Sequence, residues 1–230
     1  MTTTYAKTDQ IGHEISGIID FPDDRFEEII REVGFVCDLC GRCCTSEFND
    51  HVFLLDDDAK RIIEVAGREV LRPAPYYEFC DNLGRFYVMG YALMSKSNGD
   101  CIFYTGGRCE HYAERPEICR IFPYMLHREE DDGGDFDWRQ IGGLNQHGLY
   151  HNDVGIEEAR KIAGAVKKYE IAFLEQELVF LNKIEGHFKK HGLRHSKQIY
   201  DRKMRELKRG GEIELYVFER GEFIKEKLSI

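Results

Sequence analysis

Apolar side chains recur at Phe26, Ile29, Ile30 and Val33, with Arg and Glu between them. Steps of three and four residues put one apolar stripe along a helix, so a short amphipathic helix is expected over 25–33. Gly34 stops it, as the residue that most readily turns left-handed at a helix end. A short apolar strand is expected over 51–55. Asp56 to Asp58 then cap a helix carrying Ala59, Ile62, Ile63 and Ala66, which Gly67 ends. Pro73, Pro75 and Tyr76-Tyr77 mark irregular chain. The run from Phe86 to Leu93, rich in aromatic and β-branched residues, reads as one strand.

Asp131 to Gly134 reads as a turn or mobile loop. From Asn152 and Asp153 a long helix is expected. Ala159, Ile162, Ala163, Val166, Tyr169, Leu174, Leu178, Leu181, Ile184 and Phe188 keep near-helical spacing along it. Its stripe is expected to pack on the cysteine-bearing half. One more helix is expected over 197–208, and residues 212–227 alternate around Arg220-Gly221 as a β-hairpin does. The expected fold class is therefore α+β. Residues 1–150 form a loop-rich, cysteine-ligated core with short strands and helices, and residues 151–230 form a helical extension that ends in the hairpin and packs on the first part.

At 230 residues and 42% hydrophobic, the chain can bury a core without staples. Its net charge of −10 repels phosphate backbones, so neither nucleic acid nor an anionic membrane is an expected partner, and a protein partner is. The basic stretch from Lys197 to Arg209 reads as a solvated helix face. Met1 to Ile19 has no apolar core of the secretory kind, and nowhere do about 18 apolar residues run together. A cytoplasmic location is expected, where thiols stay reduced and cysteine clusters serve metals or catalysis.

Four of the eight cysteines fall in the run Cys37-Asp38-Leu39-Cys40-Gly41-Arg42-Cys43-Cys44. Thiolates are soft ligands, and this density brings several to one place, so the run reads as a metal site, with buried structural thiols or disulfides as the bland alternatives. Cys101, Cys109 and Cys119 supply three more candidate ligands. Cys37, Cys40 and Cys43 have the spacing of a three-ligand run that wraps a [4Fe–4S] cube. Cys37-x-x-Cys40-Gly41 is also a zinc knuckle. Seven thiols exceed the need of either centre. The iron–sulfur cluster is preferred because a three-cysteine run suits a cube better than one zinc. Cys43 and Cys44, taken as neighbours on extended backbone, point apart and do not serve one metal atom.

Either centre carries a net negative charge. Arg42, Arg108, Arg115 and Arg120 lie close in sequence to the ligands and are candidates to neutralise it, Arg120 and Arg42 being taken as the cofactor-binding pair. Cys80 reads as an ordinary thiol outside the set, and His111 as a neighbour rather than a ligand. His127, His147 and His151, around Trp138 and Tyr150, read as polar surface. No G-x-G-x-x-G or P-loop follows a strand, the run is not C-x-x-x-C-x-x-C, and no nucleophile–base arrangement stands out.

The motifs Gly99-Asp100-Cys101-Ile102-Phe103, Gly107-Arg108-Cys109-Glu110-His111-Tyr112 and Arg115-Pro116-Glu117-Ile118-Cys119-Arg120-Ile121-Phe122-Pro123 follow the first run in order. Together the four resemble the YkgJ-type cysteine-cluster family of zinc- or iron-chelating domains, named for its C-x-x-C-x-x-C-C run. The resemblance covers about Phe35 to Pro123 and implies a metal site. The family includes flagellin lysine N-methylases, so it also offers protein lysine methylation as an alternative activity. The expectation carried forward is an iron–sulfur protein serving electron transfer or a protein-modifying partner. A zinc-stabilised interaction module is the alternative.

Overall fold

The structure is a computed structural model that describes residues 2–48, 50–126, 137–140 and 147–229. The expected turn at 131–134 and His127 lie outside these residues. The helices are α1 (Thr2–Asp20), α2 (Asp23–Val33), α3 (Asp56–Ala66), α4 (Glu117–Ile121), α5 (Ile156–His191) and α6 (Lys197–Leu207). The strands are β1 (Phe53–Leu54), β2 (Leu71–Pro73), β3 (Phe79–Cys80), β4 (Phe86–Met89), β5 (Tyr91–Leu93), β6 (Tyr104–Thr105), β7 (Arg108–Cys109), β8 (Tyr124–Leu126), β9 (Trp138–Gln140), β10 (Glu212–Glu219) and β11 (Glu222–Ser229). The fold is α+β, with the terminal helices leading into the hairpin β10–β11.

Several elements follow their sequence pattern closely. Helix α2 buries Phe26, Ile30 and Val33, and Gly34 ends it at φ 53° with its N–H on the Ile30 carbonyl. The three aspartates of α3 do not cap it, contrary to expectation. Leu55 holds the cap position without a side-chain bond, and the acids occupy the first turn. Two of them are claimed by tertiary contacts: the Asp56 carboxylate accepts from Arg220 N at 3.0 Å, and Asp58 turns inward. Helix α1 was not expected. Ile11, Ile15 and Ile18 form its buried stripe, a spacing visible in the sequence but masked by the polar residues between them.

The expected single strand 86–93 is two strands. Gly90, at φ 69°, breaks it and sends β4 and β5 into different sheets. One sheet has the order β11-β10-β4-β3, with β10 parallel to β4; the other has the order β1-β5-β2. Successive side chains of a strand face opposite ways, and β4 is buried on both sides. Tyr87 and Met89 join the core formed with α1, α2 and α5, where the Tyr87 and Tyr216 rings stack at 5.3 Å. Phe86 and Val88 join a second core with Leu54, Ile62, Leu93, Phe103, Leu207, Leu215 and Val217. Cys101, Cys109 and Cys119 pack at the margin of this second core. The long helix α5 packs on α1, α2, α4 and β8, so it braces the element that carries Cys119. No helix among the described residues is long and apolar enough to cross a membrane.

Candidate metal centre

The first cysteine loop is fastened at its root. Val36 and Leu149 exchange backbone hydrogen bonds at 2.7 and 2.9 Å, and the backbone and side-chain N–H groups of Asn152 both donate to the Gly34 carbonyl. Leu39 (φ 62°) and Gly41 (φ 70°) turn the chain, and residues Arg42–Cys44 close into a 3₁₀ turn with Cys44 N on Gly41 O at 2.9 Å. A methyl group at Gly41 would lie 2.4 Å from the Tyr104 ring and 2.8 Å from the Gly107 carbonyl, so glycine is required there. The Asp38 carboxylate accepts from Cys40 N at 3.1 Å and stiffens the loop between the first two cysteines.

The second segment is tied to the first by Cys101, whose N–H donates to the Cys44 carbonyl at 2.8 Å. Asp100 reinforces the join by accepting from Ser46 N at 3.1 Å. Gly106 and Gly107, both left-handed, close the β6–β7 hairpin and set Cys109 opposite Tyr104. Cys119 rides on α4, whose first N–H, that of Glu117, donates to both Asp58 oxygens at 3.2 Å. Asp58 is 1% exposed and also accepts from Arg61, which in turn donates to the Arg115 carbonyl at 3.2 Å. Helix α3 therefore clamps the Arg115–Cys119 stretch in place. Sequence inspection missed this role; the only signal was an acid three residues before an arginine.

All seven candidate cysteines line one cleft of about 840 Å³, and none of them is in a disulfide. Within it Cys43, Cys44, Cys101, Cys109 and Cys119 act on one another. The Cys44 thiol shares hydrogen bonds with Cys109 and Cys43, which push its own ionisation far up. The same bonds stabilise its neighbours as thiolates: Cys43 is held below the ordinary thiol value and Cys109 falls to about 7. Burial pushes Cys101 up to about 11 and Cys119 well above the usual range. The expectation that Cys43 and Cys44 diverge assumed extended backbone. The 3₁₀ turn brings their thiols into contact instead. Cys40 has Asp38 and the N–H groups of Arg42 and Gly148 around its sulfur, while Cys37 meets the Tyr112 hydroxyl.

Of the arginines, Arg115 carries the charge that reaches Cys43 and Cys109. Its guanidinium lies 3.8 Å from the centre of the Tyr112 ring, and its Nε is buried without a hydrogen-bond partner among the described residues. Arg120 lines the cleft but donates to the carbonyls of Ala113 and Arg115 at 2.6 and 2.9 Å. Arg42 turns to Glu47 and the Phe48 ring. Cys80 is 0% exposed in the second core, and its N–H donates to His195 Nδ1. His111 packs on Phe103 at 4.5 Å beside the ligand candidates. His147 is not surface, as expected from sequence: it is 8% exposed and lines the cleft. His151 is exposed and its ring meets the Glu32 carbonyl.

The donor set fits a thiophilic metal or cluster. Seven thiols border one cleft and a cation stands beside them. Among the described residues no group of three or more His, Cys, Asp or Glu side chains stands close enough together to hold a metal ion as placed. Residues 36–141 match the sequence model of the CxxCxxCC family, described as "Putative zinc- or iron-chelating domain". That match covers a little under half of the chain and supports metal binding by this segment. No curated protein and no solved structure matches the chain.

Proposed function

We propose that the cleft holds an iron–sulfur cluster of the [4Fe–4S] type and that the protein exchanges electrons with a protein partner. The observation that carries this reading is the grouping of five thiols from two remote segments around an opening larger than one ion needs. Four thiolates on an oxidised cube leave a net charge of roughly −2, which Arg115 is placed to offset. The bound cluster would supply one-electron chemistry at low potential. The Cys44 thiol lowers the pKa of both Cys43 and Cys109 through its hydrogen bonds, which favours the thiolate forms that ligate. The cleft opens past the exposed Cys37, Leu39 and Tyr112, which gives a partner an approach to the centre. The net charge of −10 favours a partner with a basic face.

Anaerobic purification tests this. The protein should be brown, with broad visible absorption and iron and sulfide in equal amounts. Colourless protein with stoichiometric zinc would replace the cluster by the zinc module. Lysine methylation would require heat on titration with S-adenosylmethionine, and none is expected.

A further inference from the structure

We propose that helix α6 and the chain leading into it form a docking surface for an acidic segment of a partner protein. Residues 189–209 hold nine Lys and Arg against two acids, Asp201 and Glu206, in a chain whose net charge is −10. From the sequence part of this stretch reads as a solvated helix face. The fold makes that face a fixed one. Ile199, Tyr200, Met204 and Leu207 pack α6 onto the second core, and the Tyr200 ring lies 5.5 Å from that of Phe86. Arg202 and Arg205 are left exposed on the outer side, and Arg209 follows just beyond the helix end, each three or four residues from the next. The approach to α6 is pinned as well. Ser196 N donates to the Cys80 carbonyl at 3.0 Å, Arg194 N donates to Asn82 Oδ1 at 3.1 Å, and the Ser196 hydroxyl caps the helix by accepting from Ile199 N.

Most of these cations are left for a partner. Arg202 and Lys203 share Glu206, whereas Arg194, Arg205, Lys208 and Arg209 are exposed and have no acid in ion-pair range among the described residues. Other surface cations are matched within the fold, as Lys7 is with Glu78, Arg160 with Glu27 and Lys227 with Glu212. An apolar anchor stands beside the basic face. Leu83, in the turn closed by the Gly84 N–H on the Asp81 carbonyl, is 64% exposed, and Gly84 lies against the Lys203 side chain. Carboxylates meeting the forked guanidinium groups, with one apolar side chain seated on Leu83, would use both features. A nucleic acid matches fewer of them. The negative charge of the whole chain repels a long polyanion, while a short acidic segment feels the charges within a Debye length of about 8 Å. Phosphates gain nothing from Leu83, and Tyr200, turned inward, offers bases no stacking surface. None of these residues lines the thiol cleft, so the surface does not depend on what the cleft holds.

Fluorescence anisotropy tests this. Full-length protein is titrated into a labelled peptide of about eight residues, Glu and Asp interspersed with Leu, long enough to run along α6. It should bind at low salt and weaken as salt rises. Arg205→Glu/Arg209→Glu should weaken binding about tenfold or more and leave the thermal transition in place, because neither side chain has an ion-pair partner to lose among the described residues. Leu83→Ser should weaken it about twofold to fivefold. Lys161→Glu/Lys168→Glu changes the net charge equally at exposed positions of α5 and should bind as the wild type does. Equal losses in the two double variants, or no binding by the wild type at about 1 mM protein, overturn the proposal. Tighter binding of a single-stranded RNA of equal charge, lost in Arg205→Glu/Arg209→Glu, overturns it and gives the surface to nucleic acid. Self-association abolished by that variant, with no peptide bound, overturns it in favour of a second copy. Should Arg205→Glu/Arg209→Glu fail to fold, Arg205→Ala/Arg209→Ala decides by the same comparisons.

Discussion

The backbone N–H of Cys101 donates to the carbonyl oxygen of Cys44 at 2.8 Å. One main-chain hydrogen bond thus registers the second cysteine segment against the first, and the thiols on either side of it meet across the cleft. The Asp100 carboxylate holds the same join through Ser46 N and also accepts from Asn98 Nδ2 at 2.7 Å. Asp100→Ala should cost about 1 kcal/mol in thermal stability. It should also reduce metal retained after dialysis, while Asp100→Asn, which keeps the acceptor oxygen, should retain more. Equal metal content in both variants and the wild type would count against the join as the organiser of the site.

Asp58 supports Cys119 from beneath. Asp58→Ala leaves the Glu117 N–H without its acceptor and removes the buried carboxylate from Arg61, an expected loss of about 2–3 kcal/mol. Asp58→Asn preserves one acceptor and should lose less. Urea unfolding curves of the two variants give the comparison.

Cys109 gives the site a pH signature. Its thiol ionises near 7 in the fold against an ordinary 9.0, chiefly through the hydrogen bond from Cys44. A depressed acid contributes stability that is complete above its unfolded value and lost as pH falls through its folded value. Apo-protein stability should therefore rise between about pH 7 and 9 from this group. Thiolate absorbance at 240 nm should show one early titration that disappears in Cys109→Ser and moves upward in Cys44→Ala.

Gly41 is the tightest point of the first loop. Gly41→Ala forces a side chain into left-handed backbone against the Tyr104 ring, at an expected cost of about 1–3 kcal/mol. Metal uptake should fall with stability, because the turn that aims Cys43 and Cys44 is the part disturbed. Wild-type uptake by a stably folded Gly41→Ala protein would show that the turn does not orient those thiols.

The hairpin is structural to the whole chain, since Leu215 pairs in register with Phe86 in the parallel β10–β4 ladder and is 0% exposed. Leu215→Ala should cost about 2–5 kcal/mol. Calorimetry should show the 1–150 and 151–230 parts melting in one transition, because they share a sheet. Two resolved transitions would mean that the strands join units that fold separately.

The sequence by itself determined the elements whose side chains keep a clean period. Phe26, Ile30 and Val33 mark α2; the Ala159–Phe188 stripe marks α5; the alternation about Arg220-Gly221 marks the hairpin. It also determined the metal-binding segment, because thiol density and the order of the cysteine motifs are properties of the chain. Tertiary structure alone decided what those elements meet. Gly90 breaks a strand that reads as continuous, since both halves are apolar and only the destination sheet differs. It decided, too, that Arg115 rather than Arg42 faces the thiols, and that His147 is drawn into the cleft by the pairing of Leu149 with Val36. Periodicity reports which face of one element is buried. Which buried faces come together is set by long-range hydrogen bonding and packing, and residues remote in sequence carry no local trace of it.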